Sequence, residues 1–184
     1  MMLRLLDIVL AAIGLIITAP VMLIILVLGY FDTGSPLFTQ VRVGRYQRPF
    51  TLIKFRTMRQ GTESVATHLV NPAVVTPFGA MMRRTKLDEL PQLWNVLKGE
   101  MSMVGPRPCL FNQEELVAAR AARGVFLARP GITGLAQVQG IDMSTPALLA
   151  DTDARMLSTL GVAAYAGYIV KTLTGSGRGD RVRG

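Results

Sequence analysis

Cysteine and histidine are scarce in this 184-residue chain, which contains one of each. The single cysteine, Cys109, excludes an internal disulfide and is typical of a reducing compartment. We interpret it as a small hydrophobic residue of the core. The histidine, His68, has no Cys, His or carboxylate at the spacing of a metal ligand. We interpret it as a surface residue.

Acidic residues are outnumbered as well, with 12 Asp and Glu against 20 Lys and Arg and a formal net charge of +8. This excess of positive charge indicates an anionic partner, either nucleic acid, lipid headgroups or a phosphorylated substrate. We favour the last two over nucleic acid, because a membrane-tethered enzyme can use the same cations to meet lipid phosphate.

Charged side chains are absent from residues 8–30, a run long enough for a helix to cross the hydrocarbon core of a bilayer. Pro20 lies near the centre, where it removes a backbone donor and should bend the helix. A straight span and a re-entrant helix are both compatible with this pattern. A straight span would export Arg4 and embed Asp7, whereas re-entry keeps both on the cytoplasmic side. We therefore predict a re-entrant membrane helix over residues 1–30.

A cleaved secretory signal is the main alternative for an apolar N-terminal segment. It would have a shorter apolar core and a small-x-small cleavage site, and residues 28–31, LGYF, do not form such a site. We therefore predict that the segment is retained. Basic residues follow it closely, which favours the cytoplasm for the rest of the chain.

The remaining sequence predicts one catalytic domain over residues 31–173, followed by a Gly/Arg-rich tail over 174–184. Alternating apolar and polar residues predict a β-hairpin in which 38–43 pair with 50–55. Helical periodicity and caps predict the other elements, which begin at Thr76-Pro77, at Asp88-Glu89, at 111, at Ser144 and at Val162. The fold class is α+β, mostly helical with a small hairpin. The last helix, 162–173, suits an amphipathic helix in the membrane interface, with a buried core helix as the alternative.

Candidate chemistry concentrates between residues 83 and 137. Asp88 and Glu89 open a predicted helix, where carboxylates commonly serve only as caps and complements to the helix dipole. A helix start also attracts phosphate, and two carboxylates there suit Mg²⁺ bound to a diphosphate. Five cations surround the pair in sequence: Arg83, Arg84, Lys86, Arg107 and Arg129. Opposing charges in this arrangement predict a phosphoryl-transfer pocket.

Three motifs make the chain recognisable: KFRTM at 54–58, KLDELPQLWNVLKGEMSMVGPRP at 86–108 and RPGITGLAQV at 129–138. They closely resemble the bacterial sugar transferases, the monotopic phosphoglycosyl transferases that start lipid-linked glycan assembly. The resemblance runs from about residue 3 to 172. The chain is similar to the minimal catalytic form of that family, without the extra N-terminal transmembrane helices of larger relatives. Family members carry a re-entrant helix with a helix-breaking proline, which corresponds to Pro20.

The resemblance implies transfer of a phospho-sugar from a UDP-sugar to undecaprenyl phosphate, with release of UMP. This is the first membrane step in assembling O-antigen, capsule, exopolysaccharide or glycoprotein glycan. It implies that Asp88 is the nucleophile, forming an aspartyl phospho-sugar intermediate, and that Glu89 together with Asp88 binds Mg²⁺. It also implies a set of substrate-binding residues: Lys54, Arg56, Arg83, Arg107, Arg129 and Gln137.

The implied location is the cytoplasmic face of the bacterial inner membrane, in contact with membrane lipid and with both termini in the cytoplasm. The sugar and the oligomeric state, monomer or homodimer, stay open. Two functional alternatives also stay open: a non-enzymatic basic membrane-anchored scaffold, and a polytopic-type transferase that works through a ternary complex. The tail is either a flexible basic segment on anionic lipid or a loop that closes over the nucleotide. Departures from the family pattern are Ala19 for the usual serine, Leu135 for an aromatic, and the lack of an acidic residue near Tyr165.

Overall fold

The computed structural model describes residues 2–62 and 72–175. His68 and most of the predicted tail lie outside the described residues. The helices are α1 (Met2–Thr33), α2 (Pro77–Thr85), α3 (Gln92–Lys98), α4 (Glu114–Ala122), α5 (Leu135–Gln139), α6 (Pro146–Thr159) and α7 (Val162–Leu173). The strands are β1 (Leu37–Val43), β2 (Pro49–Phe55), β3 (Ser102–Val104) and β4 (Gly131–Thr133). The predicted α+β class, mostly helical with a small hairpin, is confirmed.

The sequence predicted one of the two strand pairs but not the other. β1 and β2 pair antiparallel with Phe38 opposite Lys54 and Val43 opposite Pro49, which confirms the predicted hairpin. β3 and β4 form a short parallel pair, with Ser102 opposite Gly131. The sequence did not predict this second pair, because three residues are too few to show an alternation.

Helix α1 lies along the rest of the protein instead of standing away from it. Its buried residues include Asp7, Ala11 and Ile25, which share one face because residues three and four apart lie on the same side of a helix. Gly14 lies on the same side, and a Cβ built there would lie 3.1 Å from Leu93 Cδ1 on α3. The helix is continuous through Pro20, so the predicted bend there remains a prediction.

The other face of α1 is apolar and exposed. Ile16 is 75% exposed and Phe31 is 81% exposed. Within the described residues, α1 is the one helix that is long and apolar enough to cross a membrane. An exposed apolar face of this length marks a surface that contacts another apolar phase, and it fits the membrane-anchoring helix that the sequence predicted.

Helix α7 combines the two alternatives left open for it. Tyr165 is 1% exposed and packs with Val104 and Met156, whereas Val170 is 57% and Leu173 81% exposed. The inner face therefore belongs to the core, and the outer face offers apolar side chains to the surroundings, as an interfacial helix would.

Candidate active site

The two carboxylates lie in a tight 3₁₀ turn, Leu87–Glu89, between α2 and α3. The sequence predicted that they open a helix, but α3 begins later, at Gln92, and that boundary was wrong. The reason is local: Lys86 ends α2 in a left-handed conformation with φ 59°, which reverses the chain before α3 begins. Asp88 is only 6% exposed, so its carboxylate lies within the protein rather than on a solvated helix end.

Glu89 is held by two cations from different parts of the chain. Its Oε1 accepts hydrogen bonds from Lys54 Nζ at 3.2 Å and from Arg107 Nη2 at 2.9 Å. Lys54 comes from β2, and Arg107 comes from the loop that follows β3. Residues from three separate segments of the chain are thus brought into one cluster, with two positive charges at the Glu89 carboxylate.

Arg83 lies on α2, which packs against the turn that carries the carboxylates. Its Nε donates to Thr57 Oγ1 at 2.8 Å, which fixes the guanidinium beside the end of β2. Its Nη1 is buried and has no hydrogen-bond partner among the described residues. A buried guanidinium nitrogen without an acceptor is costly, so this geometry suits an anionic ligand that supplies the acceptor.

The backbone that carries Arg107 is fixed at four successive residues. The carbonyls of residues 106–109 accept, in order, from the Gly131 amide (2.9 Å), Arg120 Nη1 (2.8 Å), Arg42 Nη1 (3.2 Å) and the Val43 amide (2.9 Å). Prolines at 106 and 108 further restrict this segment. The loop therefore holds Arg107 with little freedom to rearrange.

Two glycines bring the second and third motifs together. A Cβ on Gly131 would lie 2.0 Å from the Gly105 amide nitrogen, and one on Gly105 would lie 2.5 Å from the Arg129 carbonyl oxygen. Neither position has room for a side chain. The β3–β4 pairing thus depends on both glycines and sets the position of the loop that contains Arg107.

A profile of the bacterial sugar transferase family matches residues 1–176. The chain belongs to this family.

Three relatives illustrate the match. The uncharacterized sugar transferase EpsL of Bacillus subtilis is 42% identical over 138 residues, 74% of this chain and 68% of the relative. The UDP-glucose:undecaprenyl-phosphate glucose-1-phosphate transferase of Caulobacter vibrioides is 43% identical over 145 residues, 75% of this chain and 54% of the relative. The UDP-galactose-lipid carrier transferase of Erwinia amylovora is 38% identical over 138 residues, 66% of this chain and 29% of the relative. The chain therefore spans between 29% and 68% of the length of these relatives.

A buried ion pair, which no sequence pattern indicated, supports the loop that carries Arg107. Arg120 and Asp153 are 1% and 0% exposed. Arg120 donates to Asp153 Oδ2 from Nε at 3.0 Å and from Nη2 at 2.6 Å, while its Nη1 donates to the Arg107 carbonyl. Burial raises the pKa of the Asp153 carboxyl, and the adjacent guanidinium of Arg120 opposes that shift. The pair joins α4 and α6 to the loop of Arg107, and no sequence pattern links residues so far apart.

Two predicted substrate ligands of the sugar transferase bind protein carbonyls instead of the carboxylate cluster. Arg56 donates from Nε to the Ser35 carbonyl at 2.8 Å and from Nη2 to the Leu37 carbonyl at 3.1 Å, at the start of β1. Arg129 donates from Nε to the Gly99 carbonyl at 2.8 Å, beyond the C-terminal end of α3. The carboxylates precede the opposite end of α3, and that helix alone is about 10 Å long. A contact of either arginine with substrate phosphate stays a prediction.

Gln137 bonds to the backbone just before the loop that carries Arg107. Its Nε2 donates to the Gly105 carbonyl at 3.3 Å, two residues before Arg107. Its buried Oε1 has no hydrogen-bond partner in the described part of the chain. Its predicted contact with substrate is likewise untested.

Cys109 lies at the end of the loop that carries Arg107 and is fully buried. Burial raises the pKa of its thiol, an effect that Arg120 and Arg42 only oppose in part. A buried neutral thiol is a poor nucleophile, which supports its interpretation as a core residue.

The carboxylates suit Mg²⁺ only together with a substrate. Among residues 2–62 and 72–175, no group of three or more His, Cys, Asp or Glu side chains is placed to hold a metal ion. Mg²⁺ commonly uses one or two protein carboxylates and takes its remaining ligands from water and substrate phosphates. Two adjacent carboxylates, Asp88 and Glu89, are compatible with that mode of binding, and Mg²⁺ at this site stays a prediction.

Proposed function

We propose that this chain transfers a phospho-sugar from a UDP-sugar to undecaprenyl phosphate, releasing UMP, as the first membrane step of glycan assembly. The observation that carries the proposal is the buried Asp88 beside Glu89, whose Oε1 binds Lys54 and Arg107. The names of the Caulobacter and Erwinia relatives, which describe transfer from UDP-glucose to undecaprenyl phosphate and from UDP-galactose to a lipid carrier, support the same reaction class.

The chemistry that we propose has two steps. The Asp88 carboxylate attacks the β-phosphorus of the UDP-sugar, and the bond from that phosphorus to the bridging oxygen breaks. UMP leaves with the electron pair, and an acyl phosphate joins the phospho-sugar to Asp88. A phosphate oxygen of undecaprenyl phosphate then attacks the same phosphorus and regenerates the carboxylate. The division into two steps lets a soluble and a lipid substrate react in turn at one site.

The cations of the cluster have distinct tasks in this proposal. Arg83 offers its unpartnered Nη1 to a phosphate oxygen, and Arg107 offers a guanidinium on a fixed backbone. Preorganised positive charge of this kind stabilises the charge that develops on the transferring phosphoryl group. Mg²⁺ bound by Asp88 and Glu89 would further neutralise the diphosphate and the departing UMP.

We propose a monotopic topology on the cytoplasmic face of the inner membrane, with both termini in the cytoplasm. At one end of α1, Arg4 donates from Nη1 to the Val96 carbonyl at 2.7 Å. At the other end, Asp32 Oδ2 accepts from Thr76 Oγ1 at 2.7 Å. A helix bonded to the same domain at both ends does not separate its ends across a bilayer. Asp7 supports this view, since its Oδ1 accepts from Ser102 Oγ, the Met103 amide and the Tyr165 hydroxyl, each at 2.8 Å.

The proposed reaction is tested by incubating the purified protein with a panel of UDP-sugars and undecaprenyl phosphate and measuring UMP release. UDP-sugar alone should leave a phospho-sugar on a peptide that contains Asp88, detectable by mass spectrometry. Asp88→Asn should abolish both the adduct and turnover, because an amide cannot form the acyl phosphate. Substantial turnover by Asp88→Asn would refute the covalent mechanism. Membrane binding without UMP release from any UDP-sugar would favour the scaffold alternative.

A further inference from the structure

Three arginines that play no part at the carboxylates gather at the N-terminal end of α1. Arg4 Nη2 lies 3.3 Å from a Cβ built on Gly99, and Arg129 Nε donates to the Gly99 carbonyl at 2.8 Å. Arg45, at the tip of the β1–β2 hairpin, donates from Nε to the Leu127 carbonyl at 2.8 Å, two residues before Arg129. The three side chains therefore converge from three separate segments of the chain.

The hydrogen bonds made by Arg45 and Arg129 do not use the two terminal nitrogens of either guanidinium. Each uses its Nε on a backbone carbonyl, and the terminal nitrogens of both have no hydrogen-bond partner among the described residues. The Arg45 guanidinium also stacks on the Tyr46 ring, with Cζ 4.5 Å from the ring centroid. Both groups are thus oriented by the protein, while their terminal nitrogens, which can bind a phosphate bidentately, are not used by its described residues.

The charges of this cluster are only partly balanced, because in the part of the chain that the structure describes a single carboxylate, Asp7, interacts with its three arginines. Within the described ranges, neither Arg45 nor Arg129 forms a salt bridge, and Arg4 has only a distant one, 3.9 Å, with Asp7. Burial and the neighbouring guanidiniums of Arg4 and Arg45 lower the pKa of Arg129, and Asp7 and Tyr46 oppose that shift only in part. Like charges held this close are unfavourable without a counter-charge. Of the three arginines, only Arg4 has both terminal nitrogens bonded to the described part of the protein, at the last carbonyls of α3.

The surroundings of the cluster indicate where the counter-charge comes from. Next to Arg4, Leu5 is 63% exposed and continues the apolar outer face of α1. Beside Arg45 and Arg129, Tyr46 is 54% and Leu127 66% exposed. Exposed apolar and tyrosine side chains around only partly balanced arginines are typical of a surface at the level of lipid headgroups.

We propose that Arg4, Arg45 and Arg129, with Tyr46, form a second anion site, separate from the carboxylates, that binds the phosphate of an anionic phospholipid. Bound lipid supplies the missing negative charge and holds the N-terminal end of α1 at the cytoplasmic surface of the membrane. The site does not require the proposed transferase reaction, and it assigns Arg129 to lipid instead of to the nucleotide sugar.

The proposal is tested on the full chain in neutral detergent by titration with phosphatidylglycerol and, separately, with phosphatidylcholine. Bound lipid is counted by native mass spectrometry, and the thermal unfolding midpoint is followed in parallel, since a ligand of the folded state raises it. Phosphatidylglycerol should bind and raise the midpoint more than phosphatidylcholine does. Arg45→Gln should weaken phosphatidylglycerol binding about fivefold, the effect of about 1 kcal/mol per basic residue at an anionic surface.

Arg155→Gln is the matched control, because Arg155 is an exposed arginine on α6 and, among the described residues, its side chain forms none of the hydrogen bonds or salt bridges of the cluster. It removes the same charge and should leave phosphatidylglycerol binding unchanged. Equal weakening by Arg45→Gln and Arg155→Gln would overturn the proposal, because it would mean general charge attraction. Equal stabilisation by inorganic phosphate or UMP, lost in Arg45→Gln, would also overturn it by assigning the site to a soluble anion. Arg45→Lys keeps the positive charge but loses the planar guanidinium, so it should bind phosphatidylglycerol more tightly than Arg45→Gln does. It provides a second comparison if Arg45→Gln folds poorly.

Discussion

The buried pair of Arg120 and Asp153 offers the sharpest test of how the active-site loop is held. We consider Asp153→Asn, which keeps the shape of the side chain but removes its charge. Arg120 then stays 1% exposed with no carboxylate opposite it. Removing one partner of a buried ion pair costs about 3–5 kcal/mol, because the remaining charge is left uncompensated. Since the asparagine oxygen can still accept one hydrogen bond, we expect the lower end of that range.

A control on the same helix separates this effect from the general removal of an acidic residue. Asp151 forms a salt bridge with Arg123 at 2.6 Å, but the Asp151 side chain is 63% exposed. Exposed pairs contribute about 0–1 kcal/mol, so Asp151→Asn should hardly change stability. For a chain of this size, 3 kcal/mol corresponds to a fall of roughly 6–12 °C in the thermal unfolding midpoint. Differential scanning calorimetry of the two variants in detergent can measure this difference in unfolding midpoint.

Activity distinguishes the two members of the pair. Arg120→Met removes the donor to the Arg107 carbonyl as well as the ion pair. It should therefore lower kcat even at temperatures where the variant is still folded. Asp153→Asn should mainly lower stability. Combined, the two changes should destabilise less than the sum of their separate effects, by about 0.5–3 kcal/mol. Equal midpoints for Asp153→Asn and Asp151→Asn, or strict additivity in the double variant, would refute this account of the loop.

Three further predictions concern the loop, the glycine contact and the tail. Arg107→Lys keeps the charge but loses the planar fork, so kcat/KM should fall roughly tenfold or more, the effect of one charge-assisted bond; unchanged kcat/KM would contradict a bidentate contact. Gly131→Ala places a methyl group 2.0 Å from the Gly105 amide nitrogen and should lower the unfolding midpoint markedly, whereas Gly161→Ala, with open space around it, should not. Deletion of the residues after Thr174 should weaken membrane retention in a salt-dependent way and leave the KM for UDP-sugar unchanged in detergent; a tenfold rise in that KM would assign the tail to the active site.

The short-range features of this protein were readable from its sequence. Alternation over two runs predicted the hairpin, and the Thr76-Pro77 pair predicted the start of α2, where Thr76 Oγ1 accepts from the Gly79 amide at 2.9 Å. The uncharged N-terminal run predicted a membrane helix. These features are local, since a cap, a turn or a periodic face is encoded within a few adjacent residues.

The charge pattern of the sequence grouped Glu89 with Arg107, the resemblance of motifs added Lys54, and the structure explains the grouping through long-range packing. The loop of Arg107 is placed by the parallel β3–β4 pair and by the glycines that let the strands approach. The glycines are visible in the sequence, but the contact between them is visible only in the structure. It also placed the carboxylates at a helix start, whereas the left-handed Lys86 puts them in a separate turn.

The charges with the deepest burial were decided by the tertiary structure alone. Asp153 pairs with Arg120 across 33 positions of the chain, and Asp7 accepts from Tyr165 across 158. A charged residue in a sequence is most often at the surface, and only a partner brought by folding makes its burial tolerable. The sequence by itself therefore determined the elements and the chemical groups of this protein. Folding decided which charges gather around Glu89 and which support the fold, because that depends on contacts between residues far apart in the chain.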